Sequence, residues 1–154
     1  MVYYNIIQYV NEKIEKKKEK HHYAYFIKGK QIIEISKGEN SFIENETCTT
    51  VHAELDALQK IIKWRLCPNK LDLLVIKLNK NGEIGEAKPC SHCIFILNNT
   101  KIKIKNIYYS SKVNNKYCIV KEKFNRMVDT NIDDKKILSK AYRYKCGEKI
   151  YYKN

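Results

Sequence analysis

Residues 51–58 read Val-His-Ala-Glu-Leu-Asp-Ala-Leu, and this stretch joins two signals that decide the fold. Its first half places an imidazole and a carboxylate on either side of a single alanine. Its second half begins an apolar pattern at three- and four-residue steps, which is typical of an amphipathic helix. A second stretch, residues 88–93, reads Lys-Pro-Cys-Ser-His-Cys and sets two thiols three residues apart. The two stretches together predict a metal site at the ends of two helices.

The candidate metal ligands are His52, Cys90 and Cys93, which suit zinc, about one ion per chain. Residues two apart do not share a helix face, so His52 and Glu54 can reach the same metal only beyond the N-terminal end of their helix. Free amide groups and the helix dipole there favour the thiolate form of cysteine. Three protein ligands leave one tetrahedral position open, as in catalytic zinc sites.

His92 is the rival fourth ligand, because a closed structural zinc site needs another histidine or cysteine. It lies between Cys90 and Cys93, so on a helix its side chain is expected to point elsewhere. We therefore expect an open site with Glu54 as its general acid and base. That carboxylate would move a proton from the attacking water to the substrate, and a second proton to the leaving group.

The length of 154 residues predicts a single domain, 1–154, with a core over about 1–125 and a C-terminal helix and tail over 126–154. No apolar run approaches the roughly 18–20 residues of a membrane helix. The N-terminus also lacks the pattern of a secretory signal. We expect a soluble cytoplasmic protein with no membrane partner. In that compartment the six cysteines indicate metal binding or catalysis rather than disulfides.

Predicted helices and strands alternate along the chain, which indicates an α/β fold. The predicted strands span 23–27, 31–36, 71–78, 104–110 and 117–120, and the predicted helices span 3–14, 52–66, 89–97, 123–128 and 135–144. Gly29 predicts a hairpin between the first two strands. The nearly continuous apolar run at 71–78 predicts a central strand covered on both faces.

Local signals predict how the helices of the two motifs begin. Thr49 or Thr50 is expected to cap the first, and Pro89 is expected to occupy the opening of the second, where its missing N–H is not needed. The polar stretch 37–50 between strand and helix is too long for a tight turn, and we expect it to form a wall of the site.

His-x-Glu followed by Pro-Cys-x-x-Cys resembles the cytidine and deoxycytidylate deaminase superfamily of zinc enzymes, over about residues 1–125. The resemblance implies a three-layer α-β-α fold with a mixed sheet of about five strands. It implies a hydrolase acting on the C–N bond of a cyclic amidine, which converts a cytosine nucleoside or nucleotide to the uracil product and releases ammonia. It assigns zinc to His52, Cys90 and Cys93, and proton transfer to Glu54.

Substrate-binding residues also follow from the resemblance. It implies that the Ala53 N–H binds the pyrimidine carbonyl and that Asn40 binds a sugar hydroxyl. Taken alone, an asparagine close behind a glycine is more often a turn residue, so both interpretations of Asn40 stay open. Residues 52–58 look most like the deoxycytidylate and related nucleotide deaminases. If the last two strands form a hairpin, however, the topology would lean toward the deaminases of the free-nucleoside type.

Two features depart from the family pattern. Lys88 stands where relatives commonly have serine, threonine or glutamate before the proline. The arginine-containing phosphate-binding segments of the deoxycytidylate enzymes have no clear counterpart in the chain. The resemblance therefore indicates the reaction more strongly than it indicates the substrate.

The net charge of +13 raises the expectation of a polyanionic partner. Arginine, which reads phosphates and bases best, occurs only at 65, 126 and 143. A chain rich in Lys, Asn, Ile and Tyr also fits the codon bias of an AT-rich genome. A nucleic-acid partner is therefore not favoured over a small pyrimidine nucleoside or nucleotide.

Two alternatives and one open question remain. The first alternative is a deaminase acting on cytosine or adenine in single-stranded DNA or RNA, motivated by alternating tyrosine and basic residues at 142–145 and 151–153. The second is a non-catalytic binding protein of the same fold that retains zinc for stability, against which the intact Glu54 speaks. A homo-oligomer stays open, because many relatives assemble.

Overall fold

The computed structural model describes residues 21–42, 50–63, 70–79 and 83–130. These residues form an α/β fold with a mixed, open sheet of six strands and with three helices. The helices predicted at 3–14 and 135–144, and the tail, lie outside the described residues. None of the described helices is long and apolar enough to cross a membrane.

The helices alternate with the strands, as the sequence predicts. The helices are α1 (Ala53–Lys63), α2 (Ser91–Asn98) and α3 (Phe124–Thr130). The strands are β1 (His21–Lys28), β2 (Gln31–Glu39), β3 (Ser41–Phe42), β4 (Thr50–Val51), β5 (Leu71–Leu78), β6 (Ile84–Gly85), β7 (Ile104–Val113) and β8 (Lys116–Lys123). About five strands were expected in the main sheet, and the sixth is the two-residue β6, which is not among the strands predicted from the sequence.

The main sheet has the order β2-β1-β5-β7-β8, with β6 paired to the end of β5. Only β5 and β7 are parallel, and every other pair is antiparallel. The strand β5 is central, and its side chains are buried on both faces, as its apolar sequence predicts. The short strands β3 and β4 form a separate pair.

Two tight hairpins join neighbouring strands, and both follow from residues that tolerate left-handed backbone. Gly29, with φ of 62°, lies in the turn between β1 and β2. Asn114 and Asn115, with φ of 51° and 62°, turn β7 back into β8. Positive φ at both central residues is the geometry of a type I′ turn, which matches the twist of the flanking strands. The last two strands of the sheet are therefore an antiparallel hairpin.

All three described helices pack on one face of the sheet. Their apolar side chains share a core with alternate residues of the strands. This core contains Ala24, Phe26, Ala53, Leu55, Ala57, Leu58, Ile61, Leu71, Leu73, Val75, Cys93, Ile94, Ile96, Leu97, Ile107, Tyr109, Phe124 and Met127, among others.

On the opposite face of the sheet, a second cluster of buried side chains comes from the strands alone. It contains Tyr23, Tyr25, Ile27, Leu74, Ile76, Leu78, Tyr108 and Ile119. The described residues thus form a sheet and one helical layer. The further layer that a three-layer fold requires would lie outside the described residues.

Helix α1 lies against the backbone of β2 at Gly38. A Cβ atom added to Gly38 would collide with the carbonyl oxygen of Ala53, and would lie 2.5 Å from the nitrogen and 2.8 Å from the Cβ of Ala57. Real Cβ atoms do not approach other atoms so closely, so only glycine permits this contact. The close approach brings the first turn of α1 against the end of β2.

Two side chains of α1 bind the backbone of β2 on either side of Gly38. The Asp56 carboxylate accepts a hydrogen bond of 3.0 Å from the Glu39 N–H. The Lys60 ammonium donates to the Lys37 carbonyl at 2.5 Å and to Asp56 at 3.0 Å. Helix and strand are therefore joined by polar contacts as well as by apolar packing.

The start of α1 differs from the prediction. Thr50 does not cap the helix, because its backbone pairs with Phe42 in the β3–β4 ladder, and Thr49 lies outside the described residues. The helix begins instead directly after His52, whose carbonyl accepts hydrogen bonds from Leu55 N at 3.1 Å and Asp56 N at 3.0 Å. His52 thus lies between the end of β4 at Val51 and the start of α1 at Ala53.

We predict that Gly38→Ala is strongly destabilising, because the added methyl group must push α1 away from β2. Overpacking of this kind costs about 3 kcal/mol, which chemical denaturation measures. Gly29→Asn is the control, since asparagine tolerates positive φ and nothing lies within 4 Å of the site of its Cβ, so it should cost less than about 1 kcal/mol. Equal stabilities for the two variants would contradict the close packing at Gly38.

Candidate metal centre and its cavity

His52, Cys90 and Cys93 converge where the N-terminal ends of α1 and α2 meet. His52 directly precedes α1, Cys90 directly precedes α2, and Cys93 lies in the first turn of α2. The Nδ1 atom of His52 lies 3.5 Å from the Sγ of Cys90 and 3.3 Å from the Sγ of Cys93. The ligand atoms of the three residues all lie within 4.8 Å of one another.

This arrangement fits a tetrahedral metal ion. Zinc binds sulfur at ~2.3 Å and nitrogen at ~2.0 Å, which at a tetrahedral angle places the two ligand atoms ~3.5 Å apart. The two nitrogen–sulfur distances of 3.5 and 3.3 Å agree with that separation. The group can therefore hold one metal ion without a large movement of the backbone.

Helix α2 begins later than the sequence predicts, and the shift matters for the site. The prediction that Pro89 opens the helix is wrong: Pro89 precedes Cys90, which has extended backbone with φ of −73° and ψ of 163°. The first helical residue is Ser91. Because Cys90 is extended and Cys93 is helical, the two thiols approach His52 from a loop and from a helix turn.

Hydrogen bonding within the cluster favours the thiolate that a metal requires. The hydrogen bond from the Cys93 side chain, helped by that from His52, lowers the pKa of Cys90 to about 4, although burial opposes the shift. The pKa of His52 is raised, chiefly by its hydrogen bond with Cys90. The protein thus offers Cys90 as an anion near neutral pH.

Glu54 is buried beside the metal cluster, with 5% of its surface exposed. Burial raises its pKa to about 7, and the nearby negative charge of Cys90 acts in the same direction. A carboxyl group with this pKa is available as an acid and as a base near neutral pH. Glu54 lies in the first turn of α1, and the packing of α1 on β2 determines where that turn lies.

A cavity of about 240 Å³ opens beside the cluster. Its walls come from β1, the end of β2, the start of α1 and the segment before α2. They comprise His22, Asn40, His52, Ala53, Glu54, Ala87, Lys88 and Cys90. The structure thus gathers the residues that the sequence singled out around one space, with Cys93 buried in the adjoining core.

Asn40 lies in the cavity wall with a defined orientation. Its side-chain oxygen accepts a hydrogen bond of 2.8 Å from the His22 N–H. A backbone N–H can only donate, so the oxygen of the amide must face it. The NH₂ group is then the part of the amide that can bind a ligand.

The sequence interpretation missed the contributions of His22 and Ala87 to the cavity, and it noted Lys88 only as a departure from a pattern. His22 belongs to a strand, and its place opposite Asn40 depends on the pairing of β1 with β2. His92 does not belong to the group of metal-binding side chains among the described residues. Its rejection as a fourth ligand agrees with the structure.

A larger cavity of about 490 Å³ lies at the opposite end of β5 and α2, where Lys70, Leu97 and Lys103 are among its lining residues. It contains none of the metal-binding cluster.

Comparison of the chain with models of known protein families, with curated protein sequences and with solved structures finds no match. The residues of the smaller cavity are therefore the basis for assigning its chemistry.

We predict that each of His52→Ala, Cys90→Ser and Cys93→Ser abolishes stoichiometric zinc binding, because two ligands do not hold the ion tightly. Metal analysis of the purified variants measures this, with about one zinc per chain expected in the unaltered protein. Cys118→Ser is the matched control, since Cys118 is an exposed thiol on β8. Full zinc content in all three cluster variants would contradict the proposed ligands.

Proposed function

We propose that the protein is a zinc-dependent hydrolytic deaminase that converts a free cytosine nucleoside or nucleotide to the corresponding uracil compound and ammonia. The observation that carries this proposal is the burial of Glu54 beside a His/Cys/Cys group in the wall of a cavity. The donor set supports zinc as the metal, because one imidazole and two thiolates are typical zinc ligands. Zinc bound there would supply an activated water as the attacking nucleophile.

Glu54 would carry the proton transfers. In the first half of the reaction it takes a proton from the attacking water and delivers it to the ring nitrogen of the cytosine. In the second half it would take the remaining proton of the added hydroxyl group and deliver it to the amino group, so that the C–N bond breaks, the carbonyl of the uracil product forms and ammonia leaves. A single carboxyl group can serve both halves because its pKa of about 7 lets it accept and donate near neutral pH.

The first turn of α1 would also orient the pyrimidine. The first N–H groups of a helix have no acceptor within the helix. The N–H of Ala53, in the cavity wall, is such a group and would donate to the pyrimidine carbonyl. The NH₂ of Asn40, which also lies in the cavity wall, would donate to a sugar hydroxyl.

Two features bear on the choice between a free nucleoside or nucleotide and a polynucleotide. The last two strands of the sheet form an antiparallel hairpin, and in the family that the motifs resemble this topology leans toward the free-nucleoside type. The cavity of about 240 Å³ lies just below the lower limit of about 300 Å³ that is usual for small-molecule pockets. The tyrosine-rich basic stretches at 142–145 and 151–153, which motivated the polynucleotide alternative, lie outside the described residues.

The non-catalytic alternative is disfavoured by Glu54. Burying a carboxylate is costly, and a zinc site that only stabilises the fold has no use for one. In this structure the cost shows as the pKa of Glu54, raised to about 7 by burial. Raised carboxyl pKa values of this kind are typical of catalytic sites.

We predict that Glu54→Gln lowers kcat by at least about 10³-fold while zinc stays bound, because the amide keeps the shape of the side chain but cannot exchange a proton. Ammonia release and metal content measure the two effects. Glu34→Gln, an exposed position on β2, should keep both. A Glu54→Gln variant that retains full turnover would disprove the assigned proton transfer.

The substrate class is tested by a screen of the zinc-loaded protein against cytidine, deoxycytidine, their monophosphates, and short single-stranded RNA and DNA. We expect ammonia release from the nucleosides or monophosphates and little from the oligonucleotides. Turnover of oligonucleotides alone would establish the polynucleotide alternative. Absence of ammonia release from every compound would remove the enzymatic proposal.

A further inference from the structure

Lys88 places a positive charge at the opening of the cavity. We infer that it binds the phosphate of a nucleoside monophosphate, so that the substrate is a nucleotide rather than a nucleoside, although the antiparallel hairpin of the last two strands leans toward the free-nucleoside type. This inference rests on the proposed function of the site, and it selects among the substrates which that function admits. Its support is the position of Lys88, the absence of an ion pair to Lys88 within the described part of the chain, and the charge balance of the cavity.

The segment that carries Lys88 is held on both sides. Ala87 is 3% exposed, and its N–H donates to the Ser110 carbonyl of β7 at 2.7 Å. Pro89 is also buried. Lys88 between them is exposed and yet contributes to the cavity wall. The buried neighbours Ala87 and Pro89 hold the backbone of this segment in place. The side chain of Lys88, which lies between them, is left at the mouth of the cavity.

A second set of contacts fixes the residue before Ala87. The Glu86 carboxylate accepts hydrogen bonds of 3.0 Å from the Ser111 hydroxyl and of 3.4 Å from the Lys112 N–H. Glu86 is the acidic residue closest to Lys88 in sequence, and its carboxylate is therefore hydrogen-bonded to β7. Across residues 21–42, 50–63, 70–79 and 83–130, the ion pairs are Lys37–Glu39 and Lys60–Asp56, and neither includes Lys88.

The charges around the cavity favour an anion at its mouth. The described lining residues include one carboxyl group, Glu54, and one lysine, Lys88, together with the imidazole of His22 and the candidate metal ligands His52 and Cys90. Glu54 is buried inside, whereas Lys88 is exposed. A zinc ion with two thiolates and one neutral imidazole has no net formal charge, so the metal centre itself would not attract a phosphate. Lys88 then supplies the positive charge.

The orientation of the substrate follows from these positions. The cytosine ring must reach Glu54 and the metal cluster, so the sugar extends past Asn40 toward the opening. A group attached to the sugar would then lie nearest the exposed part of the cavity wall, which includes Lys88. A phosphate monoester has a charge of about −1.5 to −2 at neutral pH and accepts strong hydrogen bonds from an ammonium group. A free nucleoside would leave the Lys88 charge unused.

The kinetic test compares cytidine monophosphate with cytidine, and the deoxy pair likewise, for the unaltered protein and for Lys88→Gln. We expect the ratio of kcat/KM for monophosphate over nucleoside to exceed about 10 in the unaltered protein. Lys88→Gln should lower this ratio about 10- to 100-fold, mainly through the KM of the monophosphate, because one charged hydrogen bond is lost. Lys88→Arg should retain most of the ratio.

Lys30→Gln is the charge-matched control, because Lys30 lies exposed in the turn between β1 and β2, at the end of β1 far from His22. It removes the same charge and should leave the ratio unchanged. A ratio near one in the unaltered protein, or an unchanged ratio in Lys88→Gln, would overturn the role of Lys88. Neither result would contradict the proposed deamination reaction.

A binding experiment decides the inference independently of turnover. Calorimetry of the zinc-loaded protein with uridine monophosphate and with uridine should show tighter binding of the monophosphate by at least about 10-fold. Lys88→Gln should remove that difference, and Lys30→Gln should keep it. Equal affinity for the two compounds refutes the phosphate contact. If binding shows the preference but no compound is deaminated, the proposed reaction fails while the phosphate contact stands.

Discussion

The close contact between β2 and α1 at Gly38 determines where the candidate site lies. Because Gly38 has no side chain, the backbone of β2 meets the first turn of α1 directly, and the added Cβ of any other residue would collide with Ala53 and Ala57. Asp56 and Lys60 then bind the strand on both sides of that contact. The helix start is thereby fixed against the end of β2, which brings Glu54 and Asn40 to the same cavity.

The chemistry of the site depends on the meeting of two helix N-termini. Their polar ends converge on a cluster of one imidazole and two thiols, and the hydrogen bonds within the cluster lower the pKa of Cys90. Burial acts in the opposite sense on the neighbouring carboxyl group and raises the pKa of Glu54. One small region thus favours an anionic sulfur and a carboxyl group that can exchange its proton, which are the two requirements of the proposed reaction.

Sequence patterns predicted the five long strands of the main sheet and the hairpin of β1 and β2, because the relevant signals are local. Gly29 and the apolar run of β5 each determine their own conformation, whereas the antiparallel pairing of β7 and β8, with its turn at 114–115, was left open by the sequence. The starts of α1 and α2 were predicted less well. Thr50 has the chemistry of a cap, but pairing with β3 keeps it extended. Cys90 follows a proline that suits a helix, yet its thiol contacts His52 from an extended backbone.

The sequence by itself determined the donor types, their spacing within each motif and the need for the metal to lie beyond the helix ends. These follow from helix geometry and from the ligand preferences of zinc. Only the tertiary structure decided that groups 38 and 41 residues apart in the chain come within 3.5 Å of one another. It also decided that His22, Asn40 and Lys88 share one cavity. Contacts between distant segments depend on strand pairing and on the packing at Gly38, and no local pattern specifies them.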